Sequence, residues 1–270
     1  MKILQLQNNK TGKIWRENNS ETKVAMVCVA AVALGSSTYA WFVTNNKVDA
    51  TTTNISAQSN AAFMTITNGA SGASQVDTTS ATTTLGDDAP YALYPATFGE
   101  ETGSTKGTFM TAYGTTLDNG AISGNLETVG TPDQADTKEF AKKEQFNISS
   151  KGQNLSDLQV ESVEVATAIT NGQLLETALR VLVTSADGSK WVVYGLNDDA
   201  DAYEIKLSSE TNNAVPTLGS VTAGQDTVVN VYLYYEGSDT NVKTRNLQDN
   251  KLTSSQSVKI NFTATADNQN

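Results

Sequence analysis

Apolar residues recur at every second position in several short segments of this 270-residue chain, and this alternation constrains its fold most. The clearest cases are Thr227 to Tyr235 (TVVNVYLYY) and Ser257 to Ala266 (SVKINFTATA). A period of two places alternate side chains on the same face of a strand, so each segment predicts a strand with one buried face. The expected core positions are Val229, Val231, Leu233, Tyr235, Val258, Ile260, Phe262 and Ala264.

Two further patterns in the same half of the chain predict β structure. Leu158 to Thr167 alternates until its phase slips at Ser162, which indicates a β-bulge. Ala178 to Thr184 and Lys190 to Gly195 flank an Asp-Gly turn signal and predict a hairpin. Short alternating strands between turn signals, without a βαβ rhythm, are typical of an antiparallel sandwich. We therefore expect an all-β fold.

Residues 68–137 are rich in Gly, Thr and Ser and have only brief apolar patches. A flexible low-complexity loop is one interpretation of such a composition. The segment also carries five aromatic residues, and disordered segments are poor in aromatics. We expect a long irregular insertion with short strands, packed through Tyr91, Tyr94, Phe98, Phe109 and Tyr113.

The first forty residues have the order of a secretory signal. A basic segment precedes an eleven-residue apolar run, Val24 to Leu34, and small residues lead to Thr38-Tyr39-Ala40. This order predicts a helical signal segment over residues 1–40, cleaved by a signal peptidase between Ala40 and Trp41, and a secreted or cell-surface protein. The alternative is an uncleaved membrane anchor.

Charge and residue usage restrict the chemistry. The chain has no histidine, which excludes His-dependent nucleophiles and imidazole zinc sites, and we expect no enzymatic activity and no cofactor. Its one cysteine, Cys28, lies in the apolar run. Loss of residues 1–40, with five basic and two acidic residues, changes the net charge from -11 to -14. Nucleic acid and anionic membranes would repel such a chain, so neither is an expected partner after cleavage.

One acidic cluster is a candidate calcium site. Asp198, Asp199, Asp201 and Glu204 supply the oxygen ligands that calcium prefers. The cluster lacks the glycine and the distant glutamate of an EF-hand loop, and a solvated loop between strands is the alternative.

Three stretches resemble one family of secreted bacterial proteins. Thr38-Tyr39-Ala40-Trp41-Phe42 is similar to the exit of a SipW-type signal peptide. Glu236-Gly237-Ser238-Asp239 resembles the E-G-x-D turn of such proteins, and Ser257 to Ala266 resembles their terminal strand. Together these suggest the TasA and camelysin superfamily of Gram-positive bacteria, although the family's metallopeptidase members conflict with the absence of histidine.

The resemblance implies a jelly-roll β-sandwich and a function. Residues 41–57 would be an extended donor strand, and residues 58–270 the sandwich domain with its insertion at 68–137. The expected function is a structural subunit of an extracellular fibre or biofilm matrix, a homopolymer in which each N-terminal strand adds to the next subunit. The alternative is a monomeric secreted adhesin or ligand-binding module. The residues expected in the assembly strand are Val43, Val48, Thr52 and Ile55.

The predicted cleavage can be tested directly. Small residues before Ala40 and an apolar run of suitable length place the cut after this alanine. N-terminal sequencing of the secreted protein should therefore begin Trp-Phe-Val-Thr. Recovery of the protein only in the membrane fraction, with Met1 still present, would instead support the uncleaved anchor.

Overall fold

The computed structural model describes residues 48–50, 54–59, 63–69, 73, 78–84, 91–99, 107–114, 117–118, 121–122, 126–165, 175–197, 202–239, 242, 253–254 and 258–266. In these ranges the chain consists mostly of β-strands in antiparallel sheets, as the alternation predicts, with one six-residue α-helix. The predicted signal segment lies outside the described residues.

The first ten strands precede the helix, α1 (Pro132–Thr137). They are β1 (Val48–Ala50), β2 (Asn54–Ser59), β3 (Met64–Asn68), β4 (Ser80–Thr84), β5 (Tyr91–Leu93), β6 (Ala96–Phe98), β7 (Phe109–Gly114), β8 (Leu117–Asp118), β9 (Ala121–Ile122) and β10 (Leu126–Gly130). The strands after it are β11 (Lys142–Ser150), β12 (Leu155–Val165), β13 (Leu179–Ser185), β14 (Trp191–Leu196), β15 (Tyr203–Ser208), β16 (Gly219–Val221), β17 (Thr227–Tyr235), β18 (Thr253–Ser254) and β19 (Val258–Ala266).

Two large sheets form the body of the domain. One has the strand order β15-β14-β13-β17-β11-β3, and the other has the order β16-β12-β19-β2-β4. Buried side chains from both sheets form one apolar cluster, so the sheets pack face to face. The predicted core positions on β17 and β19 lie in this cluster, where Val229, Ile260 and Phe262 are completely buried and Ala264 packs at its margin.

The local predictions for the second half of the chain are confirmed. β13 and β14 form the hairpin, with Thr184 opposite Trp191 at its closed end. The register of β12 against β19 shifts between Val160 and Ser162, where the sequence predicts the bulge. β19, the terminal strand, is the central strand of its sheet.

The centre of the six-stranded sheet is buried on both faces. Alternate residues of β17 point to opposite sides, so Val231 and Leu233 join the inner cluster while Tyr232 and Tyr234 join a second one. The described part of the 68–137 insertion supplies the cover over this outer face, through the sheet β10-β7-β6 and α1. Its first strand, β4, instead belongs to the five-stranded sheet.

Aromatic rings join this outer layer to the sheet. The ring of Phe98 lies 4.8 Å from that of Phe109 and 5.0 Å, edge-on, from that of Trp191. Phe109 makes a similar 5.0 Å contact with Tyr234. Such tilted and edge-on pairs contribute about 0.5–1.5 kcal/mol beyond their buried area.

A short helix completes the cover and is attached to the sheet by polar contacts. Thr131 and Gln134 form a capping box at the start of α1, and Pro132 occupies its first turn. Asp133 Oδ1 accepts hydrogen bonds from Lys143 Nζ at 2.6 Å and from the Tyr232 hydroxyl at 2.7 Å. These bonds lower the pKa of Asp133, while burial and the nearby carboxylate raise the pKa of Tyr232.

Two glycines lie against the indole of Trp191. Gly99 and Gly107 have φ angles of 71° and 80°, and a Cβ atom on either would lie 3.0 Å from a Trp191 ring atom. Glycine is the residue that adopts this conformation without steric cost, and its missing side chain allows the close approach.

Replacement of Gly107 by alanine should measure how closely this glycine packs against Trp191. Gly188→Ala serves as the matched control, because Gly188 has a φ of 71° but a Cβ atom added there would have no neighbour within 4 Å. We expect the control to lose about 1–2 kcal/mol of unfolding free energy from its left-handed backbone. Gly107→Ala should lose about 1–3 kcal/mol more because the core is overpacked. Equal losses in urea unfolding would show that the insertion does not pack on Trp191.

Candidate functional site

The strand β2 is an interior strand of the five-stranded sheet rather than one of its edges. Its residues Ile55 to Ser59 pair in parallel with Val258 to Phe262 of β19, and its other side pairs with β4 in antiparallel register. Ile55 and Ala57 are completely buried in the inner cluster. β2 therefore occupies a groove between β19 and β4. Among the described strand pairs of the two large sheets, β2 and β19 are parallel and the other pairs are antiparallel.

The connection that follows β2 changes sheets within a few residues. β2 ends at Ser59, and β3, which begins at Met64, pairs with β11 in the opposite sheet. Phe63 lies on this connection with a φ of 68° and a side chain that is 58% exposed. Its carbonyl accepts a hydrogen bond from the Lys151 amide at 3.0 Å. A positive φ is uncommon for a bulky residue and stores about 1–3 kcal/mol of strain.

The residues expected for assembly and processing are only partly described. Val48 lies in β1, opposite Leu93 of β5, and Ile55 lies in β2. Val43 and Thr52 fall outside the described residues, as do Ala40 and Trp41 at the predicted cleavage point. The boundary expected after residue 57 falls inside β2, so the end of the 41–57 segment belongs to the sandwich of its own chain in this structure.

Only one of the four candidate calcium ligands lies within the described residues, so the structure does not bring them together. Asp198, Asp199 and Asp201 lie outside the described residues. The remaining carboxylate, Glu204, lies on β15 and forms an ion pair with Lys206, whose Nζ is 2.7 Å from Glu204 Oε1. No group of three potential metal ligands occurs within the part of the chain that the structure describes.

Besides Asp133 and Tyr232, two groups in the described ranges have perturbed pKa values, and both have local structural causes. Hydrogen bonds from the Ser185 hydroxyl and from Ser189 lower the pKa of Asp187 to about 2, at the turn of the β13–β14 hairpin. Burial in the inner cluster raises the pKa of Tyr194 to about 12. These groups stabilise a turn and a core contact, and they lie on β13–β14 rather than in the β2 groove.

The turn after β17 is formed by the E-G-x-D residues. Glu236 Oε1 accepts hydrogen bonds from the amide of Ser238 at 3.1 Å and from its hydroxyl at 2.9 Å. The amide of Gly237 donates to the carbonyl of Ala96 at 2.9 Å. The turn thus connects the six-stranded sheet with β6 of the outer layer.

The sequence predicted neither the groove that holds β2 nor β4, the strand on the far side of that groove. Asn54 to Ser59 (NISAQS) contains just two apolar residues with the alternation of a buried face, which is too short a signal to separate from a polar tail. Ser80 to Thr84 (SATTT) lies in the stretch interpreted as irregular, although its threonines favour strands.

Within the described ranges, no helix is long and apolar enough to cross a membrane. Comparisons with known proteins return no significant match for this chain, whether with family models, with curated proteins or with solved structures.

Truncation of a β2 side chain should show how far this strand stabilises the isolated chain. Ile55→Ala should reduce the unfolding free energy by about 2–5 kcal/mol, because it opens a cavity in the inner core. Lys259→Ala on β19 is a suitable control, since its ion pair with Glu164 spans 3.6 Å at the surface and contributes about 1 kcal/mol or less. If urea unfolding gives similar small losses for both, β2 is not part of the stable monomer core.

Proposed function

We propose that this chain is a secreted structural subunit of an extracellular fibre or biofilm matrix in a Gram-positive bacterium, with a jelly-roll sandwich that polymerises through its N-terminal strand. The observation that carries the proposal is the position of β2, which fills a groove between β19 and β4. This strand contains Ile55, one of the residues that the sequence assigns to assembly. The resemblance of the signal region to SipW-type secreted proteins supports the same function.

The mechanism is an exchange of β2 between subunits. The ladder that β2 makes with β19 and β4 depends mainly on backbone groups, so the same strand from a neighbouring copy would make the same bonds. Ile55 and Ala57 of the neighbour would fill the same core positions. Exchange of an identical element is a low-cost route to assembly, because every lost contact is formed again.

The connection between β2 and β3 is suited to act as the hinge. It spans four residues between two sheets, and it holds Phe63 in a left-handed conformation. An extended connection, as exchange requires, would release the strain at this residue. This release would favour the open form, whereas the entropy lost on association would favour the closed monomer.

Export would control the timing of assembly. Until the signal is removed, the segment that leads into β2 is tethered to the membrane through residues 1–40, which limits its access to another subunit. The net charge of -14 after cleavage keeps the released subunits apart at long range. At physiological ionic strength this repulsion is screened over about 8 Å, so it does not prevent a strand from docking.

A cysteine pair can show whether β2 is exchanged. Ser56 and Lys259 are opposite each other in the β2–β19 ladder, and Ser56→Cys with Lys259→Cys would place two thiols there. The only native cysteine, Cys28, lies in the predicted signal, so the processed chain has no competing thiol. Oxidised fibres should give a covalent ladder on a non-reducing gel, while oxidised monomer should give a single intrachain product. The Lys259→Cys single variant is the control for random pairing.

Electron microscopy of the same samples completes the test. Fibres together with a covalent ladder would support strand exchange. Fibres whose disulfides are all intrachain would show assembly by another contact and would refute the exchange. Single particles at all concentrations would refute the fibre subunit and favour the monomeric adhesin.

A further inference from the structure

Sheet edges expose unpaired backbone groups, and folded proteins normally cover or charge them to prevent association. Among the described strands, the two large sheets end in four edges: β15 and β3 in one sheet, β16 and β4 in the other. Three of these four edges are covered or interrupted by contacts of described residues.

The edge at β15 is covered by a turn and carries charge. The side-chain amide of Asn213 donates to the carbonyl of Lys206 at 3.2 Å, and Ser208 Oγ donates to the carbonyl of Ala214 at 2.6 Å. Lys206 also forms its ion pair with Glu204 on this strand. The charged side chains on β15 and the turn that covers it both prevent another strand from pairing at this edge.

The edges at β3 and β16 are also occupied. The amide of Ile66 on β3 donates to the carbonyl of Thr78 at 2.9 Å, and the hydroxyl of Thr78 returns a 2.9 Å bond to the Ile66 carbonyl. β16 has three residues, and the hydroxyl of Thr227 donates to its Ser220 carbonyl at 3.1 Å. Neither edge offers a continuous run of free backbone groups.

The edge at β4 has none of these protections among the described residues. Its five residues, Ser80 to Thr84, pair with β2 on one side in an unbroken register. The strand contains no charge, no proline and no bulge. Ser80 and Thr82 are exposed, while Ala81 packs against the inner cluster. An uncharged, threonine-rich edge with an unbroken register is the kind that accepts a further strand.

We propose that the open edge of β4 binds the same strand of a second copy of this chain, antiparallel and centred on Thr82. The strand is suited to pair with itself, because a twofold axis midway between two facing Thr82 residues would place Ser80 opposite Thr84 of the other copy and Ala81 opposite Thr83. This axis, perpendicular to the sheet, keeps the buried faces of both sheets on the same side. No like charges meet along the ladder, which matters for a chain with a net charge of -11.

The pairing goes beyond strand exchange and does not require it. Exchange of β2 would link subunits along a fibre, whereas pairing of β4 edges would join two subunits, or two fibres, side by side. Because the β4 contact contains no ion pair and the rest of the chain repels itself, the dimer should become tighter as salt is added. An interface that depended on salt bridges would weaken instead.

The test uses the Ser56→Cys/Lys259→Cys protein in its oxidised monomeric form, in which β2 is fixed to its own β19. Sedimentation velocity should show a concentration-dependent dimer. Thr82→Lys and Thr82→Glu should each weaken it about tenfold or more, because like charges would lie directly opposite each other. An equimolar mixture of the two variants should restore the dimer, because lysine then faces glutamate.

Thr265→Lys is the control for added charge, since Thr265 is exposed on β19 in the same sheet but away from the β4 edge. This variant should dimerise like the parent. A parent protein that stays monomeric, or a dimer unaffected by both Thr82 substitutions, would overturn the proposal. An equimolar mixture of Thr82→Lys and Thr82→Glu that does not dimerise would also overturn it. These results leave the interchain disulfide ladder of unlocked fibres unaffected, so failure of the edge pairing and failure of strand exchange can be distinguished.

Discussion

The architecture depends on the burial of β17 on both of its faces. One face of this strand, with Val229, Val231 and Leu233, closes the core between the two large sheets. The other face carries Tyr232 and Tyr234, which would be exposed in a two-layered sandwich and are almost completely buried here. The 68–137 insertion is therefore a structural layer: its phenylalanines and the helix α1 remove the outer face from water. The Tyr232 hydroxyl keeps a polar partner, Asp133, at the margin of that layer.

The sequence could predict the strands whose alternation is long and regular. β13, β14, β17 and β19 are found as expected, and the phase slip at Ser162 corresponds to a real shift in register. Alternation reports one buried face, so it could not reveal that the opposite residues of β17 were covered as well. That cover comes from Phe98 and Phe109, which lie among glycines and threonines in a segment with no periodic signal of its own.

The candidate site was harder to predict because its partners are distant in the chain. Ile55 pairs with Val258, about two hundred residues away, and a six-residue segment with two apolar side chains does not specify such a contact. The sequence did predict an extended strand over residues 41–57, and β2 overlaps the end of that range at residues 54–57. Signal cleavage and calcium binding stay predictions, since Ala40, Trp41 and three of the four proposed ligands lie outside the described residues.

The arrangement of the β2 ladder also has a mechanical consequence. Tension along a fibre joined by exchanged strands would pull each β2 along its own length, in line with the axes of its two neighbouring strands. Hydrogen bonds to both β19 and β4 lie across this direction, so they would bear the load together rather than open one after another. The four residues held on both sides, Ile55 to Gln58, would then resist a steady pull better than a single unzipping edge of the same length. Peeling from one end would instead break these bonds one pair at a time, so the joint would be weaker against peeling than against a pull along the strand.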